Sequence, residues 1–231
     1  MKDEPTKQYR QRKKQKSAAR EYFEAIAIAI ILALFIRTFI VQAFKIPSGS
    51  MLPTLLIGDH ILVSKFIYGI KMPFTGNVLI PISDPKPNDI VVFKYPKDPK
   101  LDYIKRVIAT EGDTVAIRNK KIFINNRPFK DIHGIFTDKR INPVSVDPRR
   151  DNFGPVTVPE DHIFVMGDNR DNSSDARFWG FDNKGVFQGV SLEAVRGKAF
   201  MIYWSWDVNQ PLRSWDRFSS IRWSRIGDIL D

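Results

Sequence analysis

Apolar residues in this chain fall into one long run followed by many short ones. From Tyr22 to Ile40 nineteen positions carry two charges, Glu24 and Arg37, and Ala25–Ile36 is apolar without a break. Nineteen helical residues span roughly 28 Å at about 1.5 Å each, close to the thickness of a bilayer core. The twelve-residue centre alone would suit a buried helix of a soluble domain. The pattern therefore predicts a transmembrane anchor over residues 22–44, with Arg37 near its outer end, where a long stem carries the charge to the interface. A removable secretory leader is the competing reading, because Val41-Gln42-Ala43 resembles a small-residue cleavage site. The charged twenty-residue stretch ahead of the run and the lack of a helix break before Ala43 favour a retained anchor.

Beyond Phe44 the periodicity changes. Short β-branched and aromatic runs recur at Ile61–Val63, Asp89–Phe93, Tyr103–Ile108, Thr114–Ile117, Lys121–Ile124, His162–Val165 and Lys198–Trp204, separated by Pro, Asp, Asn and Gly clusters. That is the signature of an all-β domain. Lys120–Pro128 reads as half a hairpin, Ser191–Val195 as a single helical turn, and Lys130–Pro159 lacks periodicity, as expected of an inserted, loop-rich subdomain. The expected fold is mostly β: an antiparallel, coiled or barrel-like domain over 45–231 with a loop-rich β insertion at about 114–161, preceded by one transmembrane helix.

Composition narrows the class. The chain is 43% hydrophobic and 12% aromatic, too apolar for disorder. It has no cysteine, which excludes disulfides and thiolate metal sites, and His60, His133 and His162 stand too far apart for metal-ligand spacing. No metal and no cofactor are expected. The formal charge of +10 invites a nucleic-acid reading, but residues 1–20 hold eight basic and two acidic residues, leaving +4 for all the rest. A basic tail beside an apolar helix points to anionic lipid and to the cytoplasmic side rather than to nucleic acid. Residues 1–21 are then a cytoplasmic tail and 45–231 lie outside the membrane, since long domains translocate largely regardless of their own charge.

Candidate chemistry begins at Ile46-Pro47-Ser48-Gly49-Ser50-Met51-Leu52-Pro53-Thr54. Two serines flank a glycine between prolines, just past the anchor. A serine hydroxyl needs a neighbouring base to become a nucleophile. His60 is the usual type of base, but no acid is placed to orient it and no G-x-S-x-G elbow is present. Lys105 is the second candidate: on an extended strand it shares a face with Tyr103, Val107 and Ala109, and desolvation there would lower its pKa toward neutrality. Read alone, it is more readily a lysine on a solvated strand face. The Ser50 amide and the Ser48 hydroxyl are candidate donors to an oxyanion. The segment Gly167–Gly180 (GDNRDNSSDARFWG) packs turn formers against paired charges. Its Asp171, Ser173 and Asp175 fall at calcium-loop spacing, but Ala176 replaces the glycine such a loop requires. An Asp175–Arg177 pair fixing the loop, with Ser173 orienting the Lys105 amine, fits the segment better.

Taken in order, PSGSMLPTL, GDHILVSKF, YIKRVIATEGD and GDNRDNSSDARFWG resemble the type I signal peptidases, over essentially the whole chain beyond the basic tail. The resemblance implies a bacterial inner-membrane serine endopeptidase with Ser50 as nucleophile and Lys105 as general base. It implies Ser48 as oxyanion donor, Ser173 as the lysine's partner, and Asp175 with Arg177 as support. Phe44, Ile46, Pro47, Met51, Leu55, Tyr103 and Ile104 would line shallow pockets for the small residues of an Ala-x-Ala site. The implied partners are signal peptides of exported preproteins and membrane lipid. A related Ser-Lys maturation protease with a dedicated substrate is the nearest alternative, and a non-catalytic, membrane-anchored peptide-binding domain the most distant. Trp204, Trp206, Trp215 and Trp223 suit either a membrane interface or a core.

Overall fold

The computed structural model of the chain describes residues 18–71, 78–208 and 219–230. Most of the basic tail and Trp215 lie outside the described residues.

One helix, α1 (Ala18–Phe35), continues through a wider turn at Ile36–Ile40. These 23 residues contain an 18-residue window with a mean hydropathy of 2.3, none of it buried against the protein, so the helix is long and apolar enough to cross a membrane. The expected span of 22–44 is displaced at both ends. Val41–Phe44 is not helical: it belongs to the first strand, β1 (Val41–Lys45), which pairs antiparallel with β2 (Asp59–Ser64). The apolar run continued across the junction and concealed the change of period.

The remaining strands are β3 (Ile70–Lys71), β4 (Val78–Ile80), β5 (Ile90–Tyr95), β6 (Asp98–Thr110), β7 (Thr114–Arg118), β8 (Lys121–Ile124), β9 (Arg127–Pro128), β10 (Phe153–Thr157), β11 (His162–Met166), β12 (Val190–Ser191) and β13 (Val195–Ser205). Seven form one sheet in the order β1-β2-β13-β5-β6-β11-β12, every pair antiparallel. Four more, β10-β7-β8-β9, make the inserted sheet, and β3 pairs with β4. The mostly antiparallel β architecture after one apolar helix agrees with the sequence. Inside the segment that lacked periodicity, β10 was not foreseen; Gly154 and Pro155 break its alternation, and its register with β7 slips there.

The main sheet buries both faces. On β5, Val91 and Phe93 join a core with Val107, Phe164 and Trp179, while Ile90 and Val92 join a second core with Met51, Leu55, Ile61 and Ile202. A strand buried on both sides reads as a continuous apolar run, as Ile-Val-Val-Phe does. The second core seats the turn that carries Ser50.

That turn is also pinned from below. Asp59 is fully buried and accepts from Leu56 N–H (2.8 Å), Ser205 Oγ (2.6 Å) and both arms of the Arg225 guanidinium (3.2 and 2.6 Å). It thereby joins the chain just after Ser50 to β13 and to the C-terminal segment. Truncating one partner of a buried ion pair leaves the others unsatisfied. Asp59→Ala is therefore expected to lose about 3–5 kcal/mol of stability, read as a lowered urea midpoint by tryptophan fluorescence in detergent.

Candidate active site

Ser50 sits in a single 3-10 turn, Gly49–Met51, whose preceding residue Ser48 is extended. The two prolines, Pro47 and Pro53, stiffen the approach and exit. Buried Ile46 and Met51 anchor the turn in the second core, leaving Ser50 partly exposed between them.

Lys105 arrives from β6. Its Nζ lies 2.8 Å from Ser50 Oγ and 3.0 Å from the Ile104 carbonyl oxygen, and 5.5 Å from the centre of the Tyr103 ring. The side chain is only 4% exposed. Burial pulls the amine down from the ordinary lysine value to about 8, against the opposing pull of the Asp175 and Asp168 carboxylates. A nucleophile candidate and a partly neutral amine within hydrogen-bond reach can exchange a proton, which is the first requirement of acyl transfer.

The segment after β11 holds this pair in place. Asn169 donates its backbone N–H to the Ser50 carbonyl (3.1 Å) and its side-chain amide to the Gly49 carbonyl (3.2 Å). Asp168 takes Arg106 in a two-armed pair (2.9 and 2.8 Å) and accepts the Thr54 hydroxyl at 2.6 Å. Arg106 also donates to the Asn88 carbonyl at 2.7 Å. None of Thr54, Arg106, Asp168 or Asn169 was singled out from the sequence. The GDN run and the YIKR run carried the signal, but not which residue meets which.

Asp175 and Arg177 do form the expected pair. Asp175 accepts from Arg177 Nε and a terminal nitrogen, both at 2.8 Å, and from Gly167 N–H at 3.2 Å. It also caps the short helix α2 (Ala176–Trp179). Burial alone would push its carboxyl up, but the charge and hydrogen bonds of Arg177, the Gly167 N–H and the Lys105 ammonium hold it below the ordinary carboxylate range. Arg177 spends its remaining donors on the Arg150 and Arg170 carbonyls at 2.7 Å.

A cavity of about 460 Å³ opens over Ser50 and Lys105, and Phe44, Ile46, Pro47, Ser48, Met51, Tyr103 and Ile104 all line it. Lys45, Gly49, Asp102, Asn172 and Ser174 complete the lining, and Lys45, Asp102, Asn172 and Ser174 were missed. Two sequence expectations need correction. Leu55 does not line the cavity; it is fully buried beneath Ser50 among Ile46, Ile61 and Ile202, one helical turn beyond Met51. Ser173 makes no hydrogen bond to Lys105; its Oγ is buried without a partner, against Gly167. His60 is engaged elsewhere and does not line the cavity: its Nδ1 lies 3.2 Å from the Gly58 carbonyl oxygen and its ring meets the edge of Tyr203, so the histidine alternative has no contact with Ser50 behind it. The acids considered for calcium are held by cations, Asp171 by Lys120 (2.8 Å) and Asp175 by Arg177. Among the described residues no group of three or more acidic or histidine side chains is gathered for a metal.

The edges of the cavity bear on what it can hold. β1 pairs only with β2, and β11 pairs with β6 no further than Arg106. The outer edge of β1 and the edge of β6 ahead of Arg106 are thus left without a neighbouring strand among the described residues. Unpaired backbone of this kind accepts an extended peptide as an added strand.

Matches to known proteins cover this whole arrangement. The family described as signal peptidase, peptidase S26, matches residues 19–204. The signal peptidase I of Pseudomonas fluorescens is 38% identical over 206 residues, 80% of this chain and 72% of its own. That of Aquifex aeolicus (strain VF5) is 34% identical over 239 residues, 82% and 86% of the two chains. A crystal structure of a signal peptidase I from Enterococcus faecalis V583 overlaps 50% of this chain and 97% of its own at 27% identity, with a TM-score of 0.38.

Gly167 gives the sharpest test of the geometry. A Cβ there would overlap Ser173 Oγ and the Ser50 carbonyl, and the Ser50 carbonyl is backbone that cannot swing aside. Gly167→Ala is expected to displace Ser50 from Lys105 and to lower peptide cleavage about a hundredfold. Near-normal cleavage by the folded variant would mean that the contact between Ser50 and this segment is dispensable.

Proposed function

Because the chain belongs to the signal peptidase family, peptidase S26, we propose that it is a membrane-anchored serine endopeptidase that removes signal peptides from exported preproteins with Ser50 and Lys105. The family makes the chain a serine protease of the signal-peptide-processing type. The observation that carries the Ser-Lys mechanism is the 2.8 Å approach of a buried, depressed-pKa amine to a serine in a stiff turn.

In this mechanism neutral Lys105 accepts the Ser50 hydroxyl proton as Oγ attacks the scissile carbonyl carbon. The Ser50 N–H and the exposed Ser48 hydroxyl stabilise the oxyanion. The start of a 3-10 turn supports the first donor, because its opening N–H groups have no acceptor within the turn. The Lys105 ammonium then protonates the departing amine, and the resulting acyl-enzyme is released by water, with Lys105 again the base.

The unpaired edges of β1 and β6 would take the substrate as an extended strand, alternate side chains facing the cavity. Shallow walls built by Ile46, Met51, Tyr103 and Ile104 favour small side chains by excluding large ones, a modest discrimination for each methylene. With α1 in the bacterial cytoplasmic membrane and the tail inside, the catalytic domain faces outward. Three aromatic side chains are exposed at the far end of β13 and beyond it, Tyr203, Trp204 and Trp223, the last 64% exposed. Their exposure removes the core reading for these residues and suits an interfacial face. Trp179, by contrast, is a core residue.

Two experiments test the mechanism. On a preprotein with an Ala-x-Ala site, Ser50→Ala and Lys105→Met are each expected to cut turnover about a thousandfold, with the fold retained. Inert wild type on such preproteins would remove the substrate assignment. Unimpaired Lys105→Met would remove the base. Separately, a protonated amine cannot accept the serine proton, so kcat/KM is expected to rise with pH through a limb near 8 and then level off. A flat profile between about pH 6 and 10 would sink the lysine-base assignment.

A further inference from the structure

Where the helix gives way to β1, the protein leaves another cavity of about 900 Å³, lined by residues of the end of the helix, of β1 and of β2. Its walls are largely apolar, Leu34, Ile36, Val41 and Leu62 among them, yet two cations, Arg37 and Lys65, also line it. No acidic residue does. Neither cation has an ion-pair partner among the described residues.

Lys65 is held rather than loose. Its ammonium donates to the Thr38 carbonyl at 2.5 Å, and its backbone N–H donates to the Ile40 carbonyl at 2.9 Å. Those are carbonyls of the last helical turn, where carbonyls lack N–H donors from within the helix and favour a cation. An ammonium has three donors, so two of them remain for another acceptor. Burial and the nearby Arg196 pull the Lys65 amine below its ordinary value. Lys65 is part-buried and Arg37, exposed, lines the same cavity; two cations on one cavity wall with no carboxylate in its lining invite an anion between them.

The position of the cavity chooses the anion. It lies at the end of the apolar helix, where lipid headgroups meet the protein, and exposed Leu34 and Ile36 continue from it along the helix surface. We propose that it binds one anionic phospholipid, the headgroup phosphate bridging Arg37 and Lys65 and an acyl chain lying along Leu34 and Ile36. This rests on α1 being a membrane anchor, and not on the cleavage chemistry.

The test uses the full chain, purified in neutral detergent and incubated with equal amounts of phosphatidylglycerol and phosphatidylcholine. The retained lipid is then counted by mass spectrometry of the intact complex. Wild type is expected to prefer phosphatidylglycerol about tenfold, from two basic residues acting at close range. The Arg37→Gln/Lys65→Gln variant is expected to lose that preference. Arg37→Lys/Lys65→Arg, which keeps both charges, is expected to hold it, as is Lys121→Gln/Arg127→Gln, which removes two exposed charges from the inserted sheet. Equal retention of both lipids by wild type, or a preference surviving in the Gln pair, overturns the site. A preference abolished equally by inorganic phosphate in solution, with no lipid retained, overturns the lipid in favour of a soluble anion. Wild type recovered from cells in the soluble fraction overturns the anchor reading and this proposal with it. No substrate is present in any arm, so the cleavage reading stands or falls independently.

Discussion

To act as the proposed base, Lys105 has to be dry without being paired, and much of the structure is consistent with that requirement. A lysine beside a carboxylate keeps its proton; a lysine in an apolar strand gives it up. Here the amine is buried on β6 with two aspartates close enough to raise its pKa, yet it is still held near 8. Each of those aspartates is itself gripped in two arms by an arginine, Asp175 by Arg177 and Asp168 by Arg106. An ion pair presents a dipole, whose field falls off faster than that of a lone charge. The two arginines therefore let acids stand next to the amine, where they shape the loop, while blunting their power to protonate it. Ser50 is correspondingly the one hydroxyl within hydrogen-bond distance of the amine among the described residues.

Holding a buried amine against a surface hydroxyl also requires that two distant pieces of chain be locked together. Ser50 lies before β2, Lys105 within β6, and the bridging segment follows β11. The bridge is made of backbone as much as side chain: Asn169 N–H to the Ser50 carbonyl, Gly167 N–H to Asp175, and the close passage of Gly167 under Ser50. Backbone donors cost little entropy to fix, since neighbouring strands already order them. The side-chain bonds from Thr54 and Arg106 to Asp168 then set the register between the serine turn and the lysine strand. Ser173, whose hydroxyl is buried and unpartnered, stands within this same contact, against Gly167.

The difference between what was legible and what was not follows from the range of each interaction. Strand positions were legible because alternation and turn residues are local; every strand of the main sheet longer than two residues, β1 excepted, coincides with a run readable by eye. β1 was hidden because Val41–Phe44 extends the apolar pattern of the helix, and only pairing with β2 tells strand from helix there. The resemblance and the local chemistry both pointed to Ser50 and Lys105. Arg106 and Asp168 were not legible because their meaning lies in partners 62 and 114 positions away. Leu55 shows the opposite failure. It follows Met51 by four residues, and the two share the same core, but the chain turns between them so that only Met51 also reaches the cavity.

The continuity of helix and sheet gives the site a fixed relation to the anchor. No linker separates Ile40 from β1; the five residues of β1 cover about 16 Å and end at the wall of the cavity. A flexible tether would let the catalytic domain sample many heights and tilts. Here Lys65, at the end of β2, caps the helix and so ties the second strand of the sheet to it as well. With α1 in a bilayer, the strand that bounds the cavity over Ser50 and Lys105 is a direct prolongation of the anchor. A peptide added along its edge would then run roughly toward the membrane from which a signal peptide has to come. The exposed aromatic face of Tyr203, Trp204 and Trp223 lies on the strand that pairs with β2 and in the segment that follows it. That face would supply a second point of contact with the interface, and two points of contact fix tilt as well as height.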